Sequence, residues 1–146
     1  MNKNVIISVA GTQFAFDEKT PVEVISAGHF YNKNGKKYIR YEELDEDNNL
    51  VNCMIKLDKD VIEISKKGAY NSCMVFELGK NCMTTYTTPY GNMMLGITTN
   101  ELIFMEDEDA IIVKIKYSLD INYAFVSECS ADIKIVSAKA INSNKS

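Results

Sequence analysis

Tryptophan is absent from this 146-residue chain, and His29 is its single histidine. Arg40 is its single arginine, and there are two prolines and four cysteines. Each shortage excludes something. With one His, a Cys/His metal site has too few ligands, and the cysteines Cys53, Cys73, Cys82 and Cys129 form no C-x-x-C pair. The lone His has no evident Ser or Cys partner, so a hydrolase triad is not expected. With one Arg, the usual bidentate reader of phosphate and guanine is nearly missing. A net charge of −4 and a pI near 5.0 lack the cationic surplus that nucleic-acid backbones demand, so no nucleic-acid partner is expected. The pairs Lys36–Lys37 and Lys66–Lys67 read as solvated strand ends.

No apolar run nears the roughly 20 residues of a membrane helix. The short apolar start Val5-Ile6-Ile7 breaks at Gly11 and carries no cleavage site. No membrane partner is expected, and the cytoplasm is the default, where unpaired cysteines behave as small hydrophobes. The acidic runs Asp45–Asn49 and Glu106–Asp109 read as hairpin tips. The first lacks the sixth-position Gly and closing Glu of a calcium loop, so no cofactor or metal is assigned.

Helix periodicity is also scarce. What the chain has instead is alternation, with β-branched and aromatic residues separated by polar ones and turns every 8 to 14 residues or so. The expected strands are Val5–Val9 (extending through Phe14–Phe16), Val22–Tyr31, Lys37–Leu44, Leu50–Leu57, Val61–Lys67, Ser72–Leu78 and Cys82–Thr88. An eighth starts near Asn92, bends at Gly96 and resumes at Glu101–Met105. Ile111–Ile121 and Phe125–Val136 complete the set. Asn34-Gly35 is the strongest local signal, because a type I′ hairpin needs φ > 0 at both positions. Short connections favour sequential antiparallel pairing, and a twisted sheet this long closes on itself. The expected fold is all-β: one antiparallel up-and-down barrel of eight to ten strands over residues 1–146. Its ordered core spans about 4–137, with a flexible tail at 142–146.

Four strings point to a family. They are Gly28-His29-Phe30-Tyr31 with Tyr38-Ile39-Arg40-Tyr41-Glu42-Glu43, and Lys67-Gly68-Ala69 with Ser72-Cys73-Met74-Val75-Phe76-Glu77. Then come Tyr86-Thr87-Thr88-Pro89-Tyr90-Gly91 and Tyr117-Ser118-Leu119-Asp120-Ile121-Asn122. In this order, across Val5 to about Val136, they resemble the YwiB-like family of small bacterial proteins of unknown function. The resemblance implies a calycin-like (lipocalin-like) β-barrel and brings no activity, cofactor or catalytic residue.

Alternation assigns the lumen. Val22, Val24, Ser26, Gly28 and Phe30 share one face of the second strand, which leaves His29 outside. Ile39, Tyr41 and Glu43 turn inward on the third, and Ile62, Ile64 and Lys66 on the fifth. Ser72, Met74 and Phe76 follow on the sixth, and Thr84, Tyr86 and Thr88 on the seventh. Val113, Ile115, Tyr117 and Leu119 do so on the ninth. Apolar walls with a few directional groups make a ligand site. The candidate lumen residues are Glu43, Lys66, Ser72, Met74, Thr84, Tyr86, Thr88 and Tyr117. Glu43 and Lys66 are expected to act together, since a buried charge needs a partner. The leading reading is a small apolar or amphipathic ligand held in the lumen. A second is a protein-interaction or assembly module with a filled core, in which Ile6, Tyr38, Met83 and Met94 form an outward patch and a homodimer follows. A third is an enzyme using Tyr86, Glu43 and Lys66 for acid–base work, without a supporting motif.

Overall fold

Two left-handed residues start the hairpin from which the sheet grows: Asn34 has φ 55° and Gly35 φ 78°. That is the conformation an Asn-Gly type I′ turn demands. The structure, a computed structural model, describes residues 3–11, 22–44, 47–69 and 71–138. Ten strands follow in order: β1 Lys3–Gly11, β2 Val22–Lys33, β3 Lys36–Leu44, β4 Leu50–Asp58 and β5 Val61–Lys67. The others are β6 Ser72–Glu77, β7 Asn81–Thr88, β8 Gly91–Glu106, β9 Ala110–Ile121 and β10 Ala124–Ser137. Every ladder is antiparallel. The spatial order is β6-β5-β4-β3-β2-β1-β10-β9-β8-β7, so the first and last strands lie side by side and the sheet rolls into a barrel.

The ring closes incompletely between β6 and β7, although these are neighbours in sequence. At one end Asn71 and Thr87 exchange two backbone hydrogen bonds, of 2.8 and 2.9 Å. At the other, the Gly79 amide donates to the Thr99 carbonyl of β8 and the Lys80 amide to the Glu77 carbonyl, both at 3.0 Å. Between these ends β6 and β7 form no ladder among the described residues.

Side chains sort by parity as the pleat requires. Ile7, Ile39, Ile55, Ile62, Leu95, Ile97 and Leu119 are all fully enclosed in one continuous core. On β9, Val113, Ile115, Tyr117 and Leu119 are buried while Lys114 and Lys116 are exposed. Gly28 sits on an inward rung where a Cβ would stand 2.4 Å from Ile7 Cδ1 and 2.7 Å from the Arg40 carbonyl. The backbones approach too closely there for any side chain.

Two expectations need adjusting. β8 does not bend at Gly96; it runs unbroken, and its register slips three residues later, between Thr99 and Glu101. Gly96 serves packing instead, because Met83 lies directly opposite and its sulfur would meet a Cβ at 3.0 Å. Several strands are also a residue or two longer than expected. The extension of β1 through Phe14–Phe16, the turn at 17–21 and the tail at 142–146 lie outside the described residues.

Candidate functional site

Neighbouring strands bring the inward polar residues to one end of the barrel, the end where β3 leads into β4. On β3 and β4, Tyr41 stands opposite Cys53, and Cys53 stands opposite Lys66 on β5. Lys66 in turn stands opposite Ser72 on β6. One rung away, Glu43 is opposite Val51. Lys66 Nζ and Glu43 Oε1 are 2.7 Å apart, so the two charges predicted to act together do form an ion pair. The pair is asymmetric: the Glu43 side chain keeps 19% of its exposure and Lys66 42%. The carboxylate sits in the wall and the ammonium reaches the solvent, in the manner of a snorkelling lysine.

Beneath this pair the polarity falls away. Cys53 and Tyr41 are buried. Burial, with the Glu43 charge beside it, pushes the Cys53 thiol up to about 12, so it stays protonated at neutral pH and is no nucleophile. Burial likewise raises the Tyr41 and Tyr117 phenols well above their usual range. Val51, Ile64, Met74 and Tyr86 are only partly buried and pack against the core. Deeper still, Phe76 of β6 and Tyr117 of β9 meet edge to face, with ring centroids 5.0 Å apart and planes at 67°. This aromatic pair links β6 to β9 through the interior. Most of the remaining buried core is Leu, Ile and Val side chains.

All eight predicted lumen residues stand on inward-facing positions. Glu43 on β3 reaches across β4 to Lys66 on β5, which adjoins Ser72 on β6, with Met74 two residues deeper on β6. Tyr117 belongs to the aromatic pair. Thr84 and Tyr86 stand on β7, across the interrupted ladder, and Thr88 reaches only the turn, donating to the Gly91 carbonyl at 2.8 Å. The Thr84 and Thr99 hydroxyls are enclosed with no protein partner among the described residues. The outward apolar residues divide in two: Ile6 and Tyr38 lie on β1 and β3, Met83 and Met94 on β7 and β8.

A concavity lies elsewhere, on the outer surface of β1–β5. It encloses about 750 Å³ and includes His29, Arg40, Asn52, Met54, Ser65 and Lys67 in its lining. His29 stands directly opposite Arg40, Arg40 opposite Met54, and Met54 opposite Ser65, which makes one rung across four strands. Sequence reasoning placed His29 outside and went no further. The signal was available, since counting outward from Asn34-Gly35 pairs His29 with Arg40 and Tyr31 with Tyr38.

Comparison with known proteins gives little chemistry. A family model described as "Domain of unknown function (DUF1934)" matches residues 7–133. A solved structure, "Crystal structure of ywiB protein from Bacillus subtilis", superposes with a TM-score of 0.77 at 18% identity. The match covers 94% of this chain and 93% of that one, and at this identity it speaks to the fold. No curated protein matches.

Proposed function

The chain belongs to the family of the domain of unknown function DUF1934, and from that premise we propose that it is a cytoplasmic, calycin-like barrel that binds a small amphipathic molecule at the Glu43–Lys66 end of its lumen. The observation that carries the reading is the gradient along the interior. A partly exposed ion pair stands at one end of partly buried Val51, Ile64, Met74 and Tyr86, with the Phe76–Tyr117 aromatic pair deeper in the interior. Ligand sites combine apolar walls with a few directional polar groups in this way. The occupant is short: its polar head meets Lys66, Glu43 and Ser72, and its apolar part lies against Met74 and Tyr86. The four cysteines are free, which suits a reducing compartment.

Native mass spectrometry of the protein as purified, with thermal shift against octanoate and octylamine, tests this. Retained mass, or stabilisation by either amphiphile that is lost in Met74→Trp, supports the proposal. A bare protein that neither probe stabilises overturns it. So does a Met74→Trp variant that responds like the parent.

A second reading, an assembly module, is favoured by one feature of β8. Its pairing with β7 stops at Thr98, and Ile103, Phe104 and Met105 beyond that point are exposed. A bare apolar strand edge is an invitation to pair. The partner under this reading is a second copy of the chain, and light scattering after size exclusion tests it. A dimer that Phe104→Glu converts to monomer supports it; a monomer at about 100 μM removes it.

A further inference from the structure

We propose a second binding site, on the outside of the barrel, in the concave surface of β1–β5, for a small molecule carrying a phosphate or carboxylate. It owes nothing to the lumen reading. The twist of the sheet makes the depression, and the chain's one Arg and one His face each other across its central rung.

Arg40 is held ready rather than satisfied. Its Nε donates to the Tyr31 hydroxyl at 3.1 Å, and its guanidinium lies 5.6 Å from the Tyr31 ring centroid. Tyr31 is itself stacked on Tyr38, with centroids 5.1 Å apart and planes at 9°. This fixes the plane of the guanidinium and uses one of its five donors, leaving the terminal fork to meet a planar or tetrahedral oxyanion. Among the described residues no carboxylate lies within ion-pairing distance of Arg40 or Lys67. Glu42 also lines the depression and is joined to neither. Across the same rung, His29 Nδ1 lies 3.4 Å from Asn4 Oδ1, which orients the imidazole. In a protein of net charge −4, unpaired cations gathered in one concavity are a complement to a small anion. The depression's volume falls within the usual range of small-ligand sites, about 300–1,000 Å³. Ile6, Ala27 and Met54 supply an apolar bed for the rest of the ligand.

Because His29 is the chain's only histidine, its imidazole protons give a clean reporter. Phenyl phosphate and benzoate are titrated in turn while the His29 resonances are followed by NMR. A saturable shift with either probe, half complete below about 10 mM, is expected, and the probe that binds tells phosphate from carboxylate. Arg40→Gln should weaken binding about tenfold or more, with Arg40→Lys between, because lysine keeps the charge and loses the fork. Lys66→Gln, at the lumen end, should leave the titration unchanged, which separates this site from the one above. No saturable shift with either probe overturns the proposal, and so does undiminished binding by an Arg40→Gln variant whose amide spectrum is native. A loss in Lys66→Gln equal to that in Arg40→Gln also overturns it.

Discussion

Replacing Phe76 with alanine should destabilise this protein more than any other single truncation on β6. Phe76 is 1% exposed and sits on the strand where the hydrogen-bonded ring is interrupted. Its ring ties one edge of the interruption to the opposite wall, through its edge-to-face contact with Tyr117 of β9. Truncating a buried Phe costs about 3–5 kcal/mol. The aromatic contact accounts for roughly 0.5–1.5 kcal/mol beyond the area buried. Against a total of about 5–15 kcal/mol for a domain, the loss is a fifth or more of the stability. In a chain of this size it corresponds to a melting temperature lower by roughly 8–16 °C. The assay is urea unfolding followed by far-UV circular dichroism, since there is no tryptophan to report. A double-mutant cycle of Phe76→Leu with Tyr117→Leu should return a coupling of about 0.5–1.5 kcal/mol. Phe104→Ala, at a site 41% exposed, serves as the control and should lie within about 1 kcal/mol of the parent. A Phe76→Ala loss under about 1.5 kcal/mol, with no measurable coupling to Tyr117, would show that this aromatic contact does not anchor β6.

Three further outcomes follow from single sites. Thr99→Val should raise stability by about 1–2 kcal/mol, because it keeps the β-branch and removes a buried hydroxyl with no partner among the described residues; a lower melting temperature would show that the hydroxyl has work to do. Gly28→Ala should lower stability by about 1–3 kcal/mol, since its Cβ would overlap Ile7 Cδ1 and the Arg40 carbonyl, and an unchanged urea midpoint would contradict that crowding. Alkali should unfold the protein early. Cys53 ionises at about 12 when folded and near 9.0 otherwise, and Tyr41 and Tyr117 are shifted the same way, so the folded state keeps protons that the unfolded chain releases. Stability is therefore intact below pH 9 and falls as the pH climbs from 9 towards 12. A melting temperature flat from pH 8 to 11 would refute the assignment.

Much of the barrel is legible along the chain because a pleated strand has an exact period of two. Ile39, Tyr41 and Glu43 had to share a face, and so did Ile62, Ile64 and Lys66. With both sets turned inward, charge alone suggests that Glu43 and Lys66 meet, and they do. What parity cannot reveal is register between strands that are distant in sequence. The rung that carries the outer depression crosses four strands; two-residue turns set its His29–Arg40 and Met54–Ser65 steps, but the Arg40–Met54 step between them hangs on the longer connection from Leu44 to Leu50. Gly96 misled for a related reason. A glycine in a strand signals either a bend or a close neighbour, and only the placement of Met83 on the next strand decides between them.

The unlaced stretch between β6 and β7 has a mechanical meaning. A cylinder whose rungs are all tied has one girth, and widening it means breaking ties. This one is fastened at Asn71–Thr87 and around Gly79–Thr99, with loose cloth between. Along that placket the girth is set by side-chain packing, with no backbone stitch among the described residues between the two fastenings.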